Sequence, residues 1–201
     1  MKHSFILLLL SASLCACNQS TQKQNTADTT AHAVDTSAAA KPAPIDLLIT
    51  PGRGIGRMML NGNIEDVSSF LGRPDSSDAA MGSSLMVWYA KHNASGYKTS
   101  IFSHRNMGNK DEIISRIQKI LITSPEYKTA EGTGVGALKE EIETSYTLKP
   151  TDTYKGKNGK VQIYTDLDKG ISFEIDSASN KCVGVVVHKP HDTATAYLNM
   201  H

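Results

Sequence analysis

The stretch Gly52-Arg53-Gly54-Ile55-Gly56-Arg57 has the residue types of an anion cradle. Its glycines let backbone N–H groups approach a phosphate, and its arginines supply neutralising charge. A P-loop needs Gly-Lys-Ser/Thr after its glycines. A dinucleotide fingerprint needs GxGxxG after a strand, opening the helix of a longer βαβ unit. Neither pattern is present, and Pro51 precedes the glycines. The competing explanation is backbone geometry, since only glycine adopts positive φ or close backbone approach without cost. A second group is His188-Lys189-Pro190-His191-Asp192, with His201 further on. Two histidines three apart share an ion when a helix puts them on one face, and Pro190 prevents that helix. An exposed tail over 191–201 is the expectation. His92 and His104 stand near strand ends with no acid or cysteine at a ligand spacing. No metal and no cofactor are expected.

Nucleophiles are plentiful as serine and threonine, but none lies in a recognisable elbow with a base and an orienting group. Asp75 and Asp78 sit in a Ser-rich stretch that reads as turn chemistry. Asp166 and Asp168 flank a hairpin turn and should be solvated. Cys182 opens the apolar run Cys182-Val183-Gly184-Val185-Val186-Val187 and reads as a small buried hydrophobe. No catalytic residue is expected, and the chain is not expected to be an enzyme.

The cysteine with the clearest chemistry is Cys17. Lys2 and His3 precede the apolar run Phe5 to Leu10, which Ser11-Ala12-Ser13-Leu14 extends. That run is too short to span a bilayer, which takes ~20 apolar residues. Its length and order are those of a signal peptide over 1–16. Leu14-Cys15-Ala16-Cys17 resembles the bacterial lipobox: an aliphatic residue, two small residues, then the cysteine that receives lipid. Only Cys17 has this spacing. The resemblance implies a diacylglycerol on its thiol and acylation of the freed amine, and two or more chains give stable anchoring. The competing reading is a secreted protein cut near Ala16. With Cys17 lipidated and Cys15 lost with the signal peptide, Cys182 would be the one thiol left, so no internal disulfide framework is expected.

Residues 17–44 are rich in Ser, Thr, Gln, Asn and Ala and poor in large apolar residues, which predicts a disordered tether. Surface-exported lipoproteins of Bacteroidetes carry acids just after the lipidated cysteine. Asn18 to Lys23 has none, which favours the outer membrane's periplasmic face. Basic and acidic residues balance, 21 against 20, with no long basic run, so nucleic acid is not an expected partner.

The elements that would position these residues show internal similarity. In each of 45–125 and 126–190 a Gly-rich approach leads to an apolar residue (Leu60, Val135) and an acid-rich helical stretch. These stretches are Ile64-Glu65-Asp66-Val67 and Lys139-Glu140-Glu141-Ile142; a proline follows each, Pro74 and Pro150. Apolar strands come next: Met86 to Tyr89 beside Val161 to Tyr164, Gly96 to Phe102 beside Gly170 to Ile175, and Ile113 to Leu121 beside Val183 to Val187. The last pair decides an ambiguity. Ile113, Ile114, Ile117, Ile120 and Leu121 fit a helical spacing, but Val183 to Val187 is β-branched and too short for a helix, so both are read as strands. The expected fold is α+β: two tandem repeats, each a short helical segment followed by three antiparallel strands.

This pattern resembles the β-lactamase-inhibitor-protein-like fold in tandem, and a single unit is similar to the SmpA/OmlA-type outer-membrane lipoproteins. The likeness is carried by the Gly-rich turn into a helix, and Thr147 departs from it where the first half has Gly72. The inhibitors carry disulfides that this chain cannot form, so inhibition of a β-lactamase is not implied.

The expected function is non-enzymatic: a lipid-anchored envelope protein, held to the membrane by its N-terminal lipid, that binds a protein partner or stabilises an assembly. The alternative is a periplasmic module for a small ligand or glycan. Strand alternation separates Trp88 from Tyr89, one facing the core and the other outward. The expected contact surface is the sheet's helix-free face, with one aromatic drawn from Trp88 or Tyr89, one in Tyr164, and His104 at the rim.

Overall fold

The computed structural model describes residues 44–192 and 200–201. The signal peptide 1–16, the lipid-bearing Cys17, all but Pro44 of the tether, and residues 193–199 of the tail lie outside the described residues.

A 3-10 turn at Ile45–Leu47 leads into β1 (Leu48–Thr50), β2 (Gly54–Ile55) and β3 (Met58–Met59). α1 (Ile64–Leu71) follows, then β4 (Ser76–Ala80), β5 (Ser83–Tyr89), β6 (Lys98–Arg105) and β7 (Ser115–Ile122). The second half holds β8 (Lys128–Thr129), α2 (Lys139–Glu143), β9 (Lys149–Gly156), β10 (Gly159–Asp166), β11 (Ile171–Asp176) and β12 (Lys181–His188). A small sheet has the order β3-β2-β1-β8, and its β1–β8 pair is parallel. A large sheet runs β4-β5-β6-β7-β12-β11-β10-β9, every neighbour antiparallel.

The expected fold needs correcting. Each helix is followed by four strands of the large sheet, not three, and a separate four-stranded sheet stands beside the eight-stranded one. The missed strands are the outer ones, β4 (SSDAA) and β9 (KPTDTYKG). As an edge strand β4 is exposed throughout, and Tyr154 is the one side chain that β9, the other edge, half-buries, so no apolar alternation marks either. β1, β2, β3 and β8 are only two or three residues long, below the length at which alternation can be read. Residues 45–125 and 126–190 share one core. β7 pairs β12 with Ile122 opposite Val185 and Ile120 opposite Val187, and residues from both halves fill one cluster. The segment read as ambiguous is the strand β7, with Ile113 outside it and exposed.

The helices are held by local chemistry and one buried face. Asn63 caps α1, its side-chain oxygen accepting from the Glu65 amide at 3.2 Å, and Glu65 and Asp66 complement the helix's positive end. Gly72 ends α1 at φ 79°, a conformation that favours glycine. α2 opens with the Glu141 carboxylate accepting from the Leu138 amide at 2.8 Å. It ends without a glycine, at Thr144 in a helical conformation. Ile64 and Val67 of α1 and Ile142 of α2 reach the same core as Ile101, Ile117, Ile120, Ile122, Phe173 and Val185. Full burial of each such side chain contributes ~1.5–3 kcal/mol.

Candidate binding surface

Alternation along the large sheet divides its side chains between two faces. One carries both helices and the main core. The other, helix-free, carries Leu85, Val87, Phe102, Leu121 and Val186 across four neighbouring strands. Met200 lies in this second cluster, 7% exposed.

The expected site residues are split between these faces. Trp88 is buried on the helix side, where its Nε1–H donates to the Gly72 carbonyl at 2.9 Å and ties β5 to the end of α1. Tyr164 also lies against the main core, half-buried, with the Lys139 ammonium 4.8 Å from its ring centre. Tyr89, one residue on from Trp88, takes the helix-free face. There His104 bonds the buried Ser83 hydroxyl through Nδ1 at 2.9 Å. The surface expected from Trp88, Tyr89, Tyr164 and His104 is therefore not one surface. The pairing of Tyr164 with Phe173, itself in the core, put it on the helix side, and register cannot be read from a lone strand.

The functional candidate missed in the sequence is Glu174. It sits mid-strand in β11, 1% exposed, on the helix-free face. Its partner on β12 is Gly184, and the reason for that glycine is steric. A Cβ at 184 would stand 2.9 Å from Glu174 Cδ and overlap Oε2. Gly184 is the notch into which the carboxylate folds. A glycine inside a β-branched run was the available signal, because it marks close approach by another group. Oε2 accepts from the Tyr154 hydroxyl at 2.8 Å. Oε1 has no aligned hydrogen bond, but His201 Nδ1 lies 3.2 Å away. The His201 ring stacks on Tyr154 with centroids 3.9 Å apart and planes 10° from parallel. Burial and the Glu174 charge push the Tyr154 phenol well above its ordinary range.

Beside this pair the Met200 carbonyl accepts from Lys98 Nζ at 2.9 Å and from Ser100 Oγ at 3.3 Å. Burial draws the Lys98 ammonium below its usual pKa, and the Glu174 charge opposes that. An apolar patch, a buried carboxylate, a half-buried ammonium and an aromatic ring thus converge on one two-residue segment. Next to them is an open depression of about 720 Å³, lined by Phe102, His104, Arg116, Lys119, Lys189 and His191 among others. Arg116 is occupied there by Asp111, at 3.0 Å.

The remaining chemistry resolves into structure. Thr151, Thr165, Ser172 and His188 form a hydroxyl chain across β9 to β12, with spacings of 2.9, 2.8 and 3.1 Å. His188 Nδ1 faces the Lys189 carbonyl at 2.9 Å, so that carbonyl takes the Nδ1–H and Nε2 accepts from Ser172. The Ser–His pair is 6% and 4% exposed, with a carbonyl where a hydrolase has an acid. His188 is therefore not in an exposed tail, and neither is Met200. His188, His191 and His201 have separate surroundings: Ser172, Asp168 and Tyr154. Among the described residues no group of three His, Cys, Asp or Glu is arranged to hold a metal. His92 has an acid after all, Asp75 at 2.8 Å. Asp166 is buried rather than solvated, accepting from the Thr147 and Lys169 amides. Cys182 is buried on the helix side, and burial pushes its thiol up to about 12. In the glycine stretch, Cβ atoms at 54 and 56 would overlap the Met58 and Asp46 carbonyls, so backbone fills the space a phosphate would need.

No family model matches this chain, and no curated protein matches it. Among solved structures it is similar to a cysteine-rich secretory protein from Staphylococcus aureus subsp. aureus Mu50, at TM-score 0.43 and 17% identity. The match covers 71% of this chain and 48% of that one. It is also similar to an extracellular protein containing an SCP domain from Bacillus anthracis str. Ames, at TM-score 0.42 and 12% identity, covering 66% and 44%. The chain spans less than half the length of these structures. The resemblance expected to inhibitor-like and SmpA/OmlA-type proteins is overturned, since no family model matches and the helix-plus-three-strand unit it rests on is absent: each helix precedes four strands of one eight-stranded sheet.

Proposed function

We propose that this chain is a lipid-anchored protein of the bacterial envelope, facing the periplasm, which binds a protein partner through the helix-free face of its large sheet. The anchor rests on the signal-peptide pattern and the lipobox spacing of Cys17. The partner reading rests on one observation above the others: an apolar strip ringed by polar groups that already grips a short piece of chain, Met200–His201, by side chain and by carbonyl. Apolar centre with polar rim is the anatomy of a protein interface. The small-ligand alternative has the depression beside Phe102 in its support, but that depression is open and its arginine is already paired.

The test is site-specific photocrosslinking in intact envelopes. A crosslinker at Val87 and another at Ile163, both half-exposed on the helix-free face, should trap the same protein. Crosslinkers at Glu65 or Glu140 on the helices should not. Identical adducts from all four positions, or none from the first two, refute the reading.

A further inference from the structure

We propose that the helix-free face is a docking groove for an extended peptide of defined chemistry, an unbranched apolar residue followed by a planar basic one, and that Met200–His201 occupy it in cis. This rests on the protein-binding reading above and specifies its partner.

Each part of the occupant follows from a group on the face. Leu85, Phe102, Leu121 and Val186 make an apolar seat, and the unbranched Met200 side chain fills it. Met is the side chain best able to fill an irregular apolar gap. Lys98 and Ser100 hold the Met200 carbonyl, a contact any residue in that position can make. The next residue meets the Tyr154 ring on one side and the Glu174 carboxylate on the other. A flat ring selects a flat partner, and a buried carboxylate selects a cation. Histidine and arginine satisfy both, whereas lysine satisfies only the charge. The Gly184 notch makes this subsite possible, because any larger residue would displace the carboxylate.

Met200 and His201 belong to no strand, whereas the residues beneath them belong to the ladder of the large sheet. A segment fastened by side chains opens locally at far lower cost than the sheet. A trans segment of the same chemistry competes with it, and closure in cis lowers the apparent affinity by the fraction of time the groove is open. The arrangement is a self-occupied binding site.

The experiment uses the full chain, with methionine ε-methyl groups labelled with ¹³C, and an unlabelled peptide with the sequence of residues 193–201. On titration the Met200 methyl signal should move saturably towards the position of a solvated methionine. The Met58 signal, from the other side of the sheet, should stay fixed. A peptide ending in Ala-Ala should be weaker by about tenfold or more. In the double variant Met200→Gly, His201→Gly a fluorophore-tagged copy of the same peptide should bind about tenfold tighter than to wild type, because the cis competitor is gone. Glu174→Gln should remove most of the preference for His over Ala at the last position.

A Met200 signal that stays fixed at every peptide concentration overturns the proposal, and so does equal binding of the Ala-Ala peptide. If the double variant does not fold, the wild-type titration still decides. Concentration-dependent dimers that lose mass on adding peptide would identify a second copy as the occupant and overturn the partner assigned here. Crosslinking from Val87 and Ile163 with no peptide displacement would sink this inference and leave the protein-binding reading standing. Displacement with no crosslinked protein would do the reverse.

Discussion

Gly184→Ala isolates the physical reason for the buried carboxylate. The φ of Gly184 is not in the left-handed region, so alanine meets no backbone penalty, and a side chain there favours the strand. Any loss of stability must then come from contact. The added Cβ would stand 2.9 Å from Glu174 Cδ, about 0.6–1.1 Å inside an ordinary carbon–carbon contact. The backbone pairing of β11 and β12 resists separation, so the carboxylate moves instead. A shift of that size takes Oε2 from 2.8 Å to beyond hydrogen-bond reach of Tyr154. Overpacking costs about 1–3 kcal/mol. Losing a hydrogen bond to a buried charge costs about 1.5–3 kcal/mol. The expected sum is about 2.5–6 kcal/mol, or a fall in Tm of roughly 5–24 °C for a domain of this size. Urea unfolding of four proteins measures it: wild type, Gly184→Ala, Glu174→Ala and the double variant. With the carboxylate removed there is nothing to displace, and Gly184→Ala should cost less than about 1 kcal/mol, a coupling of about 1.5 kcal/mol or more. Equal cost in both backgrounds, within about 0.5 kcal/mol, would show that the notch argument is wrong.

Trp88→Phe should destabilise by about 1–2 kcal/mol through loss of the Nε1–Gly72 bond and some ring volume. Tyr89→Ala should stay within about 1 kcal/mol of wild type; thermal melts that rank the two the other way would reverse their assignment to core and outer face. Burial, with a smaller push from Lys119, holds the His188 imidazole below its ordinary pKa, against the Lys189 carbonyl and Asp192. The unfolded chain therefore binds a proton there before the fold does, so this group's stabilisation is intact above the unfolded pKa of about 6.5 and is lost as pH falls through the depressed folded value. Wild type should lose more stability than His188→Gln between neutral and mildly acid pH, and parallel pH–Tm curves would exclude the effect. Cys17→Ala should abolish incorporation of labelled fatty acid and release the protein from membranes, with Cys15→Ala retaining both; Cys17→Ala protein that still pellets with membranes after a high-salt wash rules out the lipid anchor.

Local signals were legible from the sequence because they depend on nearest neighbours. Asn63 and Glu65 mark the start of α1 and Gly72 its end, each acting within one helical turn. The β-branched run of β12 announces a strand and, through the internal similarity, settles the ambiguous β7, and the glycines at 54 and 56 announce close backbone approach. The lipobox spacing is likewise a property of four consecutive residues. Strand number was not legible, because β4 is wholly exposed and Tyr154 is the one side chain β9 half-buries, and burial is what imprints alternation.

The candidate site lay still further out of reach. Trp88 and Tyr164 are the residues that draw the eye, yet strand register turns both towards the helices. Glu174 reads as an ordinary strand acid until Gly184 is seen opposite it, ten positions on, with Tyr154 two strands away. Met200 and His201 read as the end of a polar tail until they are found on Leu85 and Tyr154, residues far back in the chain. Composition and spacing alone determined where each helix starts and six of the eight strands of the large sheet, since these follow from local propensity and short-range geometry. Which face each side chain takes, and which distant groups meet there, was decided only by the register of eight paired strands, because a shift of one residue in any of them would have sent the same side chains to the opposite face.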